Sequence, residues 1–351
     1  MKLLALIEGP DHVCFRYRIQ AFEPALADHG WSLEAVPLCK HSLARIRQLS
    51  RAAEADAVIL QRKLLPLWQL RILRNAAKAL IFDFDDAVFH RDSYHPKGVN
   101  SWRRQAYFWA TAYAADAITA GNQYLKNQAA AYVPAERVHY FPTCIEYGRY
   151  RAACHWRIGG EAKLIWIGQR STLPSLSLAE PGLAAAAAAL PGLELRVVSD
   201  VFPRLAGVAV VERAWSSATE TQELADADIG VSWLPDDGWS LGKCGLKVLQ
   251  FMAAGLPVVA NPVGVHCEMV VHGETGFLAR TPREWREAIA RLAADPALRA
   301  RFGAAGRRLA EEHYGVERWS RKMVALLDRV AGRPPAQSPV RRDATAMEAA
   351  A

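Results

Sequence analysis

The chain has 351 residues, of which 51% are hydrophobic and 23% are charged, and its formal net charge is +7. This length predicts two domains of roughly 100–200 residues each, and the composition is that of a globular protein, which excludes collagen, a coiled coil and a fully disordered chain. No apolar run approaches the roughly 18 residues of a membrane span. The six cysteines form no C-x-x-C pair, so we expect free thiols and a cytoplasmic location.

The first half of the chain alternates short apolar strands with helical segments. Strands are predicted at 2–7, 32–36, 57–60, 79–82 and 117–119. Two helices are predicted at 16–28 and 43–55. A third helix is predicted between the third and fourth of these strands, and a fourth runs from the fifth strand to residue 131. Such β-α-β alternation predicts a parallel sheet covered by helices. Glycines and scattered charges interrupt the pattern near 148–162, so we place the first domain at residues 1–155.

A second alternating series follows this break. Its strands are predicted at 163–167, 195–198, 229–233, 257–260 and 276–278, and its helices at 178–190, 219–225, 245–254, 282–294, 297–312 and 315–331. We place the second domain at residues 160–313 and expect residues 332–351, which are rich in proline and then alanine, to be disordered. Two α/β halves of similar size predict a cleft between them in which a ligand binds.

The densest functional signal lies at residues 239–279. Gly242 and Gly245 provide a pliable loop that leads into the helix predicted at 245–254. Free N–H groups and the helix dipole make such a helix start an anion site, and Lys243 and Lys247 add positive charge beside it. A βα unit of the sheet without a ligand remains the alternative, because glycine loops alone are weak signals.

Two longer stretches in the same region resemble the donor-binding region of the family 4 glycosyltransferases. They are FMAAGLPVV at 251–259 and GVHCEMVVHGETGFL at 264–278, in the order and spacing of that family. The resemblance implies the GT-B fold, in which two Rossmann-like parallel-sheet domains face a cleft. It also implies transfer of a sugar from a nucleotide-diphosphate donor to a hydroxyl with retention of configuration, without a metal or another cofactor. In that fold the helix at 315–331 crosses back to the first domain.

The chain departs from the family pattern at two glutamates. Gly242 stands where the family's first glutamate addresses the donor sugar, and Gln250 stands where the second addresses the nucleotide ribose. Gln250 can still hydrogen-bond a ribose hydroxyl, although without the charge of a carboxylate. At Gly242, contact with the sugar must come from backbone N–H groups or from Lys243.

The resemblance places further donor-side residues. Gly168 and Arg170 follow the first strand of the second half, where the family binds the diphosphate, and Lys247 can replace a later family lysine that is missing here. We expect Arg170 and Lys247 to act as the catalytic cations. Trp215 either packs on the nucleobase or belongs to the core, and Glu268 lies in the second donor stretch.

The loops of the first half supply acceptor-side candidates. Arg16 and Arg18 follow the first strand, and either contact an acceptor or donor phosphate or form a solvated helix start. An acidic segment, Asp83-Phe84-Asp85-Asp86, follows the strand at 79–82. It resembles the D-x-D of haloacid-dehalogenase-type phosphatases, the metal-binding D-x-D of another glycosyltransferase fold, or an acidic lining of the cleft. We favour the lining, with Asp85, Asp86 or His90 orienting an acceptor hydroxyl.

The net charge of the chain is concentrated in one segment. Residues 40–78 contain two acids, Glu54 and Asp56, and nine basic residues, which are Lys40, Arg45, Arg47, Arg51, Arg62, Lys63, Arg71, Arg74 and Lys78. Their balance of +7 equals the net charge of the whole chain. Apolar residues, among them Leu64, Leu65, Leu67 and Trp68, are interleaved with them. This pattern predicts weak contact with an anionic membrane surface, on the inner face of the membrane, or else a solvated amphipathic helix.

These patterns lead to one hypothesis and two alternatives. The hypothesis is a retaining glycosyltransferase of hexosyltransferase type, which uses a nucleotide-sugar donor and a sugar or lipid-linked acceptor in polysaccharide, lipopolysaccharide or glycolipid synthesis. The alternatives are a Mg²⁺-dependent phosphatase centred on Asp83 and Asp85, and a catalytically silent protein that binds sugar nucleotides. Metal-ligand spacing and an RNA-binding signature are both missing from the sequence, so we predict neither a metal site nor a nucleic-acid partner.

Overall fold

The computed structural model describes residues 1–333, which fold into two six-stranded sheets. Neighbouring strands in both sheets are parallel. Parallel strands need long crossover connections, and helices provide nearly all of them here. The predicted α/β class with two Rossmann-like sheets is confirmed. The tail predicted at 332–351 lies, from residue 334 onward, outside the described residues.

The first sheet has the spatial order β2-β1-β3-β4-β5-β6. Its strands are β1 (Lys2–Ile7), β2 (Ser32–Pro37), β3 (Ala57–Gln61), β4 (Leu80–Phe84), β5 (Ala117–Ala120) and β6 (Val138–Tyr140). Its helices are α1 (Val13–Arg18), α2 (Glu23–Asp28), α3 (Ser42–Ser50), α4 (Leu67–Ala76), α5 (Trp102–Ala114) and α6 (Gln123–Ala130). Successive strand residues point to opposite faces. Leu4 and Leu6 therefore pack under α3–α6, and Leu3 and Ile7 pack on the side of α1 and α2.

The second sheet has the spatial order β12-β11-β10-β7-β8-β9. Its strands are β7 (Lys163–Ile167), β8 (Glu194–Ser199), β9 (Ala209–Ala214), β10 (Ile229–Ser232), β11 (Val258–Ala260) and β12 (Gly276–Leu278). Its helices are α7 (Leu173–Leu178), α8 (Glu180–Ala189), α9 (Glu220–Ala225), α10 (Gly238–Leu241), α11 (Leu246–Ala253), α12 (His266–Met269), α13 (Pro282–Ala294) and α14 (Pro296–Tyr314). Two apolar clusters cover its two faces, one containing α11 and the other α8 and α13.

The last helix, α15 (Val316–Val330), packs against the first sheet rather than the second. Trp319 and Leu327 lie in the same apolar cluster as Leu3 and Ile7 of β1. The indole N–H of Trp31 also donates to Asp328, at 2.9 Å. This packing ties the end of the described chain to its beginning.

Several elements differ from those predicted. The helix predicted at 16–28 is split into α1 and α2, because Ile19 leaves the helical conformation and Pro24 begins a new helix. Helix α5 and the strands β6 and β9 are additional to the predicted elements. β6 has three residues, and β9 is an edge strand with mostly exposed side chains, so neither carries a strong apolar pattern. Within residues 1–333, every helix is too short or too polar to cross a bilayer.

Candidate active site between the two sheets

Loops that leave the carboxyl edges of the two sheets contact each other across a cleft. Residues 85–90 follow β4 and residues 121–122 follow β5, while residues 233–245 follow β10 of the second sheet. Ligands of open α/β folds bind outside the carboxyl ends of the strands. The cleft between the two edges is therefore the candidate site.

The glycine loop of the second sheet packs closely against the first sheet. A Cβ atom at Gly242 would lie 2.5 Å from the backbone nitrogen of Ala87, so the first sheet occupies the space that a side chain would need. Gly245 has φ +66°, and a Cβ there would lie 2.6 Å from the sulfur of Met269. These two positions therefore require glycine for close approach and for the left-handed turn that precedes α11.

The backbone N–H groups of Gly242 and Lys243 both form hydrogen bonds within their own loop. The N–H of Gly242 donates to the carbonyl of Trp239 and that of Lys243 to the carbonyl of Ser240, both at 3.0 Å. These bonds satisfy the end of α10, so neither amide is free to bind a donor sugar. The ammonium group of Lys243 lies 2.9 Å from Asp86 on the opposite side of the cleft.

Lys247 lies in the first turn of α11, and its ammonium nitrogen is 4.1 Å from the centre of the Trp166 ring. Burial, together with the nearby charge of Lys243, lowers the pKa of Lys247 to about 7. The first amides of a helix have no acceptor within the helix, so Lys247 adds charge where backbone donors are already available. A diphosphate at this place would restore the positive charge of the ammonium group.

The loop with Gly168 and Arg170 lies against the same indole. A Cβ at Gly168 would lie 2.5 Å from the Trp166 ring. The backbone N–H of Arg170 donates to the carboxylate of Asp200 at 2.8 Å, while its side chain is exposed. Trp166 thus connects the loop after β7 with α11, and Arg170 and Lys247 lie on the two elements that contact its ring.

Gln250 and Trp215 lie at a buried hydrogen-bond network that crosses the cleft. The indole of Trp215 donates to Glu220 at 2.9 Å, and Glu220 also accepts from the hydroxyls of Tyr17, at 3.2 Å, and Tyr150, at 3.3 Å. The amide of Gln250 is buried and donates to the Tyr17 hydroxyl at 3.4 Å. Tyr17 accepts from one of the two N–H donors of the Gln250 amide, so the expected ribose contact at Gln250 stays a prediction. Trp215 is half-exposed, so it is not a core residue.

Asp83 and Arg18 form a buried ion pair inside the first half of the molecule. The strand register places Gln61, Asp83 and Thr119 side by side, and Asp83 accepts from Gln61 at 3.0 Å and from Thr119 at 2.8 Å. Arg18 donates to Asp83 at 2.5 Å and to the carbonyl of Phe141 at 2.7 Å, and its side chain is 0% exposed. The expected ligand contact at Arg18 is therefore wrong. Asp83 is likewise held by structural partners, which argues against a phosphatase nucleophile.

Asp85 and Asp86 lie in the loop after β4, where both contact a cation of the chain. The guanidinium of Arg62 lies 3.2 Å from Asp85 and also pairs with Asp86. Burial opposes the charged form of Asp86, yet Lys243 and Arg62 outweigh it and hold the pKa of Asp86 below its usual value. Arg62 has φ 60°, the only positive φ of a non-glycine residue among residues 1–333. Backbone strain of this kind is common at functional sites.

His90 presents a free ring nitrogen within the cleft. Its Nδ1 is buried and has no hydrogen-bond partner among residues 1–333, and its Nε2 lies beside Gly238 of the second sheet. Burial lowers the pKa of His90, against the opposing effect of Asp237. Burial therefore favours the neutral imidazole, whose unpaired Nδ1 has the capacity to donate or to accept one hydrogen bond, depending on the tautomer.

Two further predicted residues lie at the edges of these clusters. Arg16 is partly exposed, and its guanidinium is 3.9 Å from Glu220, so it does face the cleft. Glu268 lies on α12, where partial burial raises its pKa, and its carboxylate forms no hydrogen bond with the described residues.

Two residues of the cleft were missed as candidates from the sequence. Asn122 accepts from the amide of Leu125 at 2.8 Å and donates to the carbonyls of Leu241 and Lys243, each at 2.9 Å. Glu220 joins the tyrosine network described above. Asn122 follows the strand predicted at 117–119, and that position was its only signal in the sequence, whereas Glu220 follows β9, which was not predicted.

Among residues 1–333, no group of three or more His, Cys, Asp or Glu side chains could hold a metal ion. A surface depression of about 570 Å³ lies away from the cleft, beside β12 and α13, and is lined in part by Phe277, Arg280 and Arg291. None of the predicted site residues lines it. The candidate residues lie instead where the loops of the two sheets contact each other, as at Gly242 and Ala87.

Solved structures with this fold support the assignment of the architecture. A sucrose-phosphate synthase from Thermosynechococcus elongatus is 18% identical, with a TM-score of 0.68, over 94% of this chain and 99% of that one. HepE from Anabaena, in complex with UDP and glucose, is 16% identical, with a TM-score of 0.66, over 94% and 100% of the two chains.

A variant of TarM from S. aureus, in complex with Fondaparinux, alpha-GlcNAc-glycerol and UDP, is 15% identical with a TM-score of 0.63. The match covers 81% of this chain but spans only 59% of the TarM chain. A comparison with curated protein sequences finds no match. Residues 195–295 match the family model described as group 1 glycosyl transferases, and the two parallel sheets together form the GT-B fold.

Proposed function

We propose that the protein is a glycosyltransferase that moves a sugar from a nucleotide-diphosphate donor to an acceptor hydroxyl. The observation that carries the proposal is the position of Lys247, half-buried on Trp166 at the start of α11. The family match covers this segment, and the structures similar to this chain include proteins bound to UDP. A cation at a helix start is suited to a departing diphosphate, whose negative charge grows as the glycosidic bond breaks.

The donor side of the cleft performs the charge stabilisation in this proposal. Lys247 and the first amides of α11 contact the diphosphate, and Arg170 reaches it from the loop after β7. Trp215, half-exposed and held by Glu220, offers an aromatic face to the nucleobase. Because Lys247 and the amides of α11 are positioned before the reaction, they need not reorganise as charge develops. No metal ion takes part in this scheme.

The acceptor side belongs to residues 1–155 in the proposal, and the donor side to residues 160–313. His90, with its free Nδ1, orients the acceptor hydroxyl, and Arg16 contributes charge at the cleft. Asp85 and Asp86 act through Arg62 and Lys243, since each already contacts one of these cations. Retention of configuration is proposed because the resemblance to the family 4 glycosyltransferases implies it. The acceptor is a sugar or a lipid-linked sugar of polysaccharide, lipopolysaccharide or glycolipid synthesis.

The test is nucleotide binding followed by turnover. A ligand that binds only the folded protein raises the free energy of unfolding by RT ln(1 + [L]/Kd), which is about 2.7 kcal/mol at a hundredfold excess over Kd. UDP, GDP, ADP, CMP and their sugars are compared by thermal shift, with inorganic phosphate as the control. The nucleotide that stabilises the protein then identifies the donor for an assay of sugar transfer. If no nucleotide stabilises the protein at millimolar concentration, the proposal fails.

The same assay separates the two alternatives. A silent sugar-nucleotide-binding protein, suggested by Gly242 and Gln250, would bind nucleotide but release neither nucleoside diphosphate nor transferred sugar. A phosphatase would release inorganic phosphate and require Mg²⁺. The pairing of Asp83 with Arg18 gives this last alternative no support.

A further inference from the structure

Three neighbouring helices of the first sheet begin with large apolar side chains that are exposed to solvent. These side chains are Leu43 on α3, Leu67 and Trp68 on α4, and Trp102 on α5, and they are 79%, 57%, 50% and 81% exposed. The helix α4 packs between α3 and α5. Each helix follows a parallel strand, so all three begin at the carboxyl edge of the sheet, where the cleft lies. We call this set of four residues the apolar rim.

The helices that carry the apolar rim contain arginine but no acidic residue. Their arginines are Arg45, Arg47, Arg71, Arg74, Arg103 and Arg104. Of these six, only Arg74 forms an ion pair within residues 1–333, with Asp116 at 2.6 Å. Arg104 donates to the carbonyl of Val88, which leaves its positive charge unneutralised. The rim is therefore surrounded by net positive charge.

The structure shows which basic residues of 40–78 are already paired with an acidic residue. Five of the nine have acidic partners from outside or within the segment, since Arg51 pairs with Glu34, Arg62 with Asp85 and Asp86, Lys63 with Glu8, Arg74 with Asp116 and Lys78 with Asp56. Only some of the nine basic residues are therefore free to face a membrane. Lys40, Arg47 and Arg71 are exposed and form no ion pair within residues 1–333, and Arg103 of α5, from outside the segment, joins them.

We propose that the apolar rim docks the protein on an anionic lipid bilayer. Four separate side chains that project from three helix starts do not form a groove for a peptide, but they can each enter the headgroup region. Tryptophan prefers that interface, and arginine beside it contacts lipid phosphates. Each basic side chain near an anionic surface contributes about fivefold to binding, and the effect fades beyond a Debye length of about 8 Å.

The position of the rim has a consequence for the cleft. The start of α5 lies near the loop that carries His90, because Arg104 contacts Val88. Docking through the rim therefore turns the acceptor side of the cleft toward the lipid surface. The conclusion that a lipid-linked acceptor enters there rests on the proposed function, whereas docking itself does not.

Co-sedimentation of the full chain with vesicles tests the docking. Vesicles of phosphatidylcholine with 30% phosphatidylglycerol are compared with pure phosphatidylcholine at low and high salt. We expect binding only to the anionic vesicles, weakened by salt. Trp102→Ser with Trp68→Ser should weaken binding about tenfold or more. Arg71→Glu with Arg103→Glu should weaken it by more than tenfold.

Matched controls lie elsewhere on the surface. Tyr113→Ser removes an aromatic side chain that is 77% exposed on the same helix, but at its other end. Arg301→Glu with Arg308→Glu reverses two exposed charges on α14. Both controls should bind vesicles as the unsubstituted protein does. Docking through the rim is overturned if anionic vesicles are ignored, or if the controls lose as much binding as the rim variants. Nucleotide thermal shift on the same proteins checks that they are folded, and it reports separately on the proposed function.

Discussion

The side-chain amide of Asn122 lies 2.9 Å from the backbone carbonyl oxygen of Lys243, and this hydrogen bond crosses the cleft between the two sheets. The same nitrogen donates to the carbonyl of Leu241, while the side-chain oxygen of Asn122 caps α6. One residue therefore both begins a helix of the first sheet and holds the glycine loop of the second. Asn122 is a positioning residue, because it acts on the site through Lys243 rather than by touching a ligand.

Replacing Asn122 by serine should separate these two roles. Serine is a good helix cap but cannot reach both carbonyls, so Asn122→Ser keeps the cap and loses two hydrogen bonds worth about 1 kcal/mol each. We expect kcat/KM to fall about tenfold or more, with the start of α6 intact. Asn122→Ala should lose a further ~1 kcal/mol of unfolding free energy, measured by urea denaturation, because it also removes the cap. Equal kinetics for Asn122→Ser and the unsubstituted protein would contradict the positioning role.

Lys247→Ala should lower turnover by about 10²–10³ while the protein stays folded. Loss of one preorganised group that stabilises developing charge has an effect of this size. Lys247→Arg keeps the positive charge and should retain more activity than Lys247→Ala. Sugar transfer is measured by release of the nucleoside diphosphate, with thermal unfolding as the check of folding. Unchanged turnover in Lys247→Ala would remove this residue from the mechanism.

The lowered pKa of Lys247 predicts a pH dependence of stability. The folded-state pKa is about 7, whereas an unfolded lysine titrates near 10.4. Between these values the unfolded chain binds more protons, so the contribution of Lys247 to the free energy of unfolding rises with pH. Lys247→Met should therefore be more stable than the unsubstituted protein at pH 6, and this advantage should shrink by pH 10. Urea denaturation of both proteins at the two pH values measures the difference, and a constant difference would exclude the shifted pKa.

The pH dependence of nucleotide binding follows from the same group. A diphosphate binds the charged form of Lys247, so its affinity should fall as the pH rises from 7 to 9. Lys247→Arg stays charged over this range, and its affinity should change less. Isothermal titration with the nucleotide identified by thermal shift provides the comparison. Parallel pH profiles for the two proteins would argue that Lys247 does not contact the phosphates.

Single substitutions of Asp83 or Arg18 should destabilise the fold. Removing one partner of a buried ion pair leaves the other charge uncompensated, which costs about 3–5 kcal/mol of unfolding free energy. We expect Asp83→Asn and Arg18→Met each to lose this amount in chemical denaturation, and the double variant Arg18→Met with Asp83→Leu to recover part of it. A stable but inactive Asp83→Asn would instead favour a catalytic carboxylate at this position.

Chelation should leave sugar transfer largely intact. The proposed stabilisation of the diphosphate relies on Lys247, Arg170 and the amides of α11, none of which is a metal ligand. Activity is therefore measured with EDTA and again after adding Mg²⁺ or Mn²⁺. Loss on chelation that either ion restores would contradict the proposed mechanism and direct attention to Asp85 and Asp86.

Periodicity was a good guide to elements whose side chains follow one strong pattern. Buried strands such as β1, β3 and β7 are nearly continuous apolar runs, because parallel strands are covered on both faces. The edge strand β9 has no such run, since much of its surface faces solvent. Helix α5 carries aromatic residues on its exposed side as well as its buried side, which obscures the helical period.

The partners of the charged side chains could not be predicted from the sequence. Arg18 and Arg16 are two residues apart, yet one is fully buried on Asp83 and the other faces the cleft, because α1 turns them in different directions. Gly242 matched a donor-site position in the family pattern, but its closeness to Ala87 depends on how the two sheets meet. Such partners are 65 and 155 residues apart in the chain, so no local spacing indicates them.

The two parallel sheets and the glycine loop before α11 could be predicted from local patterns, because strand hydrophobicity and glycine conformation are local properties. Which of the basic residues lack an acidic partner became clear only from the folded structure. Five of the nine basic residues at 40–78 are paired with acids, most of which lie far away in the chain, and Lys247 is half-buried against Trp166. The charge of a side chain follows from its residue type. Its ion-pair partners and its exposure to solvent depend on which surfaces pack together in the fold.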